Sequence, residues 1–227
     1  MASTSIPDPK RILVVDIGGT NIKLLATGEE KRLKIPSDSD LTPERLVQQV
    51  LEATSHWQYD AISVGCPCVV SRNKPTKNPH NLGSGWIGFN FEKAFGLPTK
   101  VINDATMQAI GCYKAGTMLF LGFGTGLGTT LIKDNTPVPL EAGHLPYRKE
   151  RSFEEYVGKA GLERLELKKW NHHALKIIEI LRHACNAEDV VLGGGNAELI
   201  EEPPINTRRV DNHAAFNGGF RLWQENW

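Results

Sequence analysis

The sequence has no net charge: 26 lysines and arginines balance 26 aspartates and glutamates. A surface without a dominant sign attracts neither nucleic acid nor an anionic membrane through its field, so neither is expected as a partner. No apolar run approaches the roughly 18 residues that a membrane span requires. The opening "MASTSIPDPK" contains no apolar core segment, so no secretory leader is expected. Cysteine is scarce. Cys66, Cys68, Cys112 and Cys185 are too few for a disulfide framework in 227 residues, and reduced thiols in a cytoplasmic protein are the expectation. Cys66 and Cys68 form C-P-C, read as small buried side chains at a strand end, because the four-cysteine zinc spacings are missing. The P-loop pattern G-x-x-x-x-G-K-[ST] is missing too, and the glycines between Gly122 and Gly128 do not meet G-x-G-x-x-G.

What is present is an ordinary globular balance, 40% hydrophobic and 23% charged, in a chain long enough for one large domain or two small ones. Ile12 to Val15 is a continuous apolar run rich in β-branched residues that suits a strand buried on both faces. "DIGGTNIKLLAT" follows, so Asp16 to Thr20 reads as a hairpin tip. Thr42-Pro43-Glu44 has the signature of a helix start, and Leu46, Val47, Val50 and Ala53 follow at helical spacing. "AISVGC" predicts a strand, and "RNKPTKNPHNLGSGW" a long surface loop. "KVINDATMQAIG" predicts a short strand running into a helix, with Asp104 at the strand's carboxyl end. "MLFLGF" and "GTTLI" form a second glycine-tipped hairpin. From Glu163 to Cys185 the apolar residues fit one face of a long helix. "DVVLGGGNAELI" reads as strand, glycine turn and helix, and "DNHAAFNGGFRLW" as a closing helix.

"ILVVDIGGTNIKLL" and "MLFLGFGTGLGTTLI" share one plan: an apolar strand, a glycine–threonine tip and a β-rich return. Two similar α/β halves facing a cleft are therefore expected, against the competing reading of chance likeness between hairpins. A bare glycine tip can present backbone N–H groups as an anion-binding nest, and Thr20 and Thr125 can add hydroxyl donors. A tight turn and nothing more is the bland alternative at each tip. Asp16 is a candidate Mg²⁺ partner, since magnesium takes few carboxylates together with waters and phosphates. A third cluster, Gly193-Gly194-Gly195, could let a nucleotide lie against backbone or could be a plain strand-to-helix turn.

Taken in order, "DIGGTNIK", "NDA", "GTGLG", "EAGH" and "LGGGN" resemble the ROK sugar kinases, closest to the short polyphosphate/ATP glucokinase branch. That resemblance implies the actin-like ATPase (ribonuclease H-like) α/β fold, two similar lobes with mixed sheets flanking a central cleft. The lobes are expected over residues 1–116, with a closing helix at 212–227 packed back on them, and over 117–211. It implies phosphoryl transfer from ATP or polyphosphate, with Mg²⁺, to a hexose hydroxyl. Glucose at its 6-hydroxyl is favoured over mannose, fructose or an N-acetylated amino sugar, and a non-catalytic sugar sensor or another actin-like ATPase stays open.

By motif, Asp104 is similar to the family's catalytic base and Asn103 to a sugar ligand. Glu141 and His144 match the E-x-G-H sugar element, and Glu154 and Asn81 resemble further sugar contacts. Asp16, Gly18, Gly19, Thr20, Asn21 and Lys23 fall in the first phosphate element, Gly124, Thr125 and Gly126 in the second, and Gly194, Gly195 and Asn196 in the nucleotide-binding segment. "HLPYRKERSFE" stands where many members carry a cysteine-rich zinc cluster, so no zinc is expected and His144 is free for sugar. Cys68 stands where the family often has glycine. No N-terminal helix-turn-helix is visible, which disfavours the repressor branch, and a homodimer is a possibility the family raises. Arg148, Lys149 and Arg151 could form a basic track for polyphosphate or simply a solvated face.

Overall fold

The computed structural model describes residues 11–211, 213–224 and 227. The expectation about a leader within residues 1–10, and residues 212, 225 and 226 of the expected closing helix, lie outside the described residues. The chain divides into two compact units, 1–104 with 219–227, and 105–218.

The first unit opens with β1 (Ile12–Ile17), all six residues buried, the apolar run Ile12–Val15 and Ile17 together with the charged Asp16. β2 (Asn21–Ala26) returns antiparallel and alternates buried with more exposed positions. Asp16 is paired in register with Lys23, so it belongs to the strand, and the tip itself is only Gly18 to Thr20. After β3 (Leu33–Pro36), α1 (Pro43–Ala53) starts where Thr42 caps the Arg45 N–H, and it buries Leu46, Val47 and Val50. β4 (Ala61–Cys66) then runs parallel to β1. A small hairpin, β5 (Val70–Ser71) and β6 (Lys74–Pro75), precedes α2 (Phe91–Phe95) and β7 (Thr99–Asn103). The sheet order is β3-β2-β1-β4-β7.

The stretch expected as a surface loop is only partly that. Trp86 is fully buried, and its indole N–H donates to the Leu41 carbonyl at 3.2 Å. Residues 219–224 are tied to the same unit. Trp223 donates to Ser63 Oγ at 2.9 Å, Ser63 donates to the Gly219 carbonyl, and Lys100 lies over the Trp223 ring.

In the second unit α3 (Asp104–Cys112, its first residue closing the first unit) leads to β8 (Thr117–Phe123), β9 (Leu127–Lys133) and β10 (Thr136–Leu140), a three-strand meander. A 3₁₀ turn at Ala142–His144, the hairpin of β11 (Pro146–Arg148) and β12 (Arg151–Ser152), and α4 (Phe153–Val157) follow. α5 (Lys159–Ala184) is longer than its apolar pattern predicts and is not continuous, because Glu166 has φ 62° and breaks it. Its second part buries Trp170, Ala174, Ile177, Ile178 and Leu181. β13 (Asp189–Gly193) runs parallel to β8. The helix expected after it is only a 3₁₀ turn, Ala197–Leu199. β14 (Thr207–Arg209) and α6 (Ala214–Arg221) complete the order.

This sheet reads β10-β9-β8-β13-β14. Both sheets therefore have the same plan: a three-strand antiparallel meander whose first strand carries two further strands in parallel. The repeated hairpin in the sequence is the visible part of a repeated sheet.

Candidate active site

In open α/β sheets, ligands bind outside the carboxyl ends of parallel strands. In the first unit those ends belong to β1, β4 and β7, whose registers pair Asp16 with Gly65 and Cys66 with Asn103. Asp16, Asn103 and Asp104 thus line one edge. Asp104 is the half-buried first residue of α3, and Asn103 donates from Nδ2 to the Cys68 carbonyl at 3.3 Å. Asp16 is 5% exposed and pairs with Lys23 at 3.3 Å. Burial pushes its carboxyl above the ordinary carboxylate range, and Lys23 pulls it back in part.

The tip beyond Asp16 is tight. Gly18 N–H donates to the Asn21 carbonyl at 3.1 Å, and Ser37 Oγ donates to the Gly18 carbonyl at 2.7 Å. Thr20 and Asn21 are exposed, and a side chain at Gly19 would meet Asn81 at 3.7 Å, so Asn81 borders this tip. Magnesium takes few carboxylates together with waters and phosphate oxygens, so Asp16 can offer it one carboxylate only by giving up the Lys23 ammonium. Among the described residues no group of three or more His, Cys, Asp or Glu side chains could hold a metal ion by itself.

The second unit repeats this placement. Gly122 pairs with Gly193 across β8 and β13, so the 124–126 tip and the Gly194–Asn196 turn leave the same edge. Asn196 ties them together: its N–H donates to the Phe123 carbonyl at 3.0 Å and its Nδ2 to the Gly124 carbonyl at 3.3 Å. A side chain at Gly124 or Gly195 would meet nothing within 4 Å, so both leave open backbone, while Gly194 has φ +83° and lies on the Phe123 backbone. The four alternating glycines divide in purpose. Gly122 and Gly128 face each other across the hairpin, and Ala105 of α3 packs against Gly128; only Gly124 and Gly126 form the tip.

Beside that tip stand Glu141, His144 and Glu154. His144 Nε2 lies 3.2 Å from Glu141 Oε2, and its Nδ1 lies 3.3 Å from Glu154 Oε1. Both ring nitrogens of His144 thus face carboxylate oxygens, and the three side chains together offer donors and acceptors of the kind that hydroxyl groups pair with. Glu154 also covers Gly126, where an added Cβ would come within 2.5 Å of Oε2. One carboxylate thus lies against both His144 and the bare turn. Thr125 exposes its side chain, and its carbonyl accepts the Lys159 N–H at 3.1 Å. Arg148, Lys149 and Arg151 are all exposed around the β11–β12 turn.

Two supports escaped the sequence reading. Thr129 Oγ donates to the Leu140 carbonyl and accepts from the Ala142 N–H, fixing the chain on both sides of Glu141. Ser152 and Glu155 form a capping box that orients α4 and hence Glu154. The second was visible as S-x-x-E; the first had no local signal.

The sequence matches the ROK family over residues 12–191. It is similar to the polyphosphate glucokinase of Mycobacterium tuberculosis, 25% identical over 203 residues that cover 80% of this chain and 76% of that one. The structure resembles the inorganic polyphosphate/ATP-glucomannokinase of Arthrobacter sp. strain KM, with TM-score 0.81 and 22% identity over 94% of this chain and 98% of that one. It also resembles a ROK family glucokinase from Streptomyces griseus in complex with glucose and AMPPNP, with TM-score 0.77 and 17% identity over 93% and 98%. These likenesses show the fold, the mixed α/β fold of the actin-like ATPases. With 180 of its residues inside the match, the chain belongs to the ROK family.

Proposed function

We propose that this ROK chain, a sugar kinase, transfers a phosphoryl group from ATP or polyphosphate to the 6-hydroxyl of glucose. The observation that carries the proposal lies within the second unit: Glu154 reaches both His144 and the bare glycine tip. Phosphoryl transfer needs a hydroxyl acceptor held next to a cradled phosphate, and catalysis is mostly positioning and charge stabilisation. In this reading Glu141, His144, Glu154, Asn81 and Asn103 pair the sugar hydroxyls. A site built to pair hydroxyls rejects analogues lacking them, because its own polar groups are left unpaired.

Asp104 accepts the proton of the attacking hydroxyl as the new O–P bond forms and the bond to the remaining phosphate chain breaks. Such general-base assistance is typically worth about 10²–10⁴-fold. The backbone N–H groups of the 18–20 and 124–126 tips hold the phosphate oxygens, and Thr20, Asn21, Lys23 and Thr125 add donors. Gly194, Gly195 and Asn196 lie along the nucleoside. Magnesium, when bound, would neutralise phosphate charge, and Asp16 is the residue that would hold it. The four free cysteines suit a reducing compartment such as the cytoplasm.

The test is a matrix of glucose, mannose, fructose and N-acetylated amino sugars against ATP and polyphosphate, scored for sugar phosphate, with Asp104→Asn in parallel. Glucose 6-phosphate from at least one donor, with kcat in the variant down by about 10² or more and sugar binding kept, is the expected result. Turnover near wild type in the variant removes Asp104 from the role, and no product with any hexose removes the reading.

A further inference from the structure

We propose that Cys66 and Cys68 form a dithiol–disulfide pair whose closure disturbs the Asn103–Asp104 segment. Their sulfur atoms lie 3.0 Å apart, about 1 Å beyond a disulfide bond of roughly 2.05 Å. That spacing comes from the Pro67 bend at the end of β4, where the Cys68 N–H turns back to the Cys66 carbonyl at 2.8 Å. The two thiols differ in access: Cys66 is fully buried in the core of the first unit, and Cys68 is only partly covered. The hydrogen bond that its S–H makes to the Cys68 sulfur, then burial, then the charges of Cys68 and Asp104 all push the Cys66 thiol well up. Cys66 pairs in register with Asn103 across β4 and β7, so Asp104 follows directly after its partner. The tie to the segment is also direct, because the carbonyl that accepts from Asn103 Nδ2 is that of Cys68.

The chemistry follows from access. The Cys68 thiolate attacks a low-molecular-weight disulfide such as glutathione disulfide, and one glutathione leaves as thiolate. The Cys66 thiol then gives up its proton and attacks the Cys68 sulfur, and the second glutathione leaves. Two electrons and two protons pass from the protein to the oxidant, which becomes two glutathione thiols. Drawing the sulfurs together by about 1 Å twists the Cys66–Cys68 turn and with it the Cys68 carbonyl. A misplacement of about 1 Å at a reacting group can cost roughly 10²-fold.

The activity readout rests on the kinase reading, so the link itself is read separately. The full chain is treated with glutathione disulfide, and its free thiols, intact mass and peptide map are measured beside glucose phosphorylation. Expected is loss of two thiols, a link between Cys66 and Cys68, turnover down at least about tenfold, and full recovery with dithiothreitol. Cys68→Ser, at the more accessible position, is expected to stay active and become insensitive, and Cys66→Ala is the second variant. The proposal is overturned by four thiols surviving, by equal sensitivity in Cys68→Ser, or by a linked protein of unchanged turnover. A chain that phosphorylates no hexose yet forms the link sinks the kinase reading alone. Altered hydrogen exchange across residues 99–104 then upholds the coupling, and unchanged exchange overturns it.

Discussion

Adding one methyl group at Gly126 tests whether Glu154 joins the two halves of the candidate site in the second unit. A Cβ there would come within 2.5 Å of Glu154 Oε2 and 3.5 Å of its Cδ. The nearest atom is the end of a flexible side chain, so the carboxylate can swing away and the fold survives. What it gives up is its contact with His144 Nδ1 at 3.3 Å and its place over the tip. Losing a hydrogen bond to a charged group costs about 1.5–3 kcal/mol, which at roughly 1.4 kcal/mol per decade is about 10–150-fold.

Gly126→Ala is therefore expected to raise KM for glucose by about that factor. Gly124→Ala is the control, because its Cβ would meet nothing within 4 Å. There the donor KM rises as the new methyl group crowds the nest, and the glucose KM stays within about twofold. Steady-state coupled assays varying glucose and donor separately measure both. A glucose KM unchanged in Gly126→Ala, or the same pattern in the two variants, would refute the bridging role.

Burial raises the Asp16 carboxyl above its unfolded value of 3.8, so ionising it in the folded chain costs stability. Asp16→Asn is expected to raise Tm at pH 7 while abolishing activity. The gain should fade as pH drops through the raised value and be gone only below 3.8, where the wild-type carboxyl is protonated in both states; an equal gain in melts at both ends rejects the burial cause. Gly218→Ala would drive a methyl group against the Met107 carbonyl, and the matching Gly111 lies against the Ala214 carbonyl, so α3 and α6 approach backbone to backbone. Overpacking of about 1–3 kcal/mol should lower Tm, whereas an ordinary helical glycine replaced by alanine gains stability; a raised Tm contradicts the close approach.

Local chemistry made much of the fold legible. Thr42-Pro43-Glu44 marked the start of α1, and the apolar runs at Ile12 and Met118 marked the central strands, because caps and periodicity act within a few residues. Elsewhere the deciding partner was distant. Trp86 sits in a Pro-, Asn- and Gly-rich stretch, yet its indole meets a carbonyl 45 positions earlier in the chain, at Leu41. Glu166 interrupts α5 although nothing in "LERLELKKW" announces a break, and the structure supplies no local cause for it. The turn after Gly193 stops short of a helix while Asn196 is held by the Phe123 and Gly124 carbonyls.

By itself the sequence determined the repeated hairpin and the ordered motifs, and it named candidate residues for the chemistry, since each is written in adjacent positions. Only the tertiary structure decided that both sheets share one strand order, that Glu154 lies over Gly126, and that the C-P-C sulfurs stand beside the Asn103–Asp104 segment. Those arrangements depend on strand register and side-chain packing between segments dozens of residues apart. No local pattern encodes which distant backbone a side chain will meet.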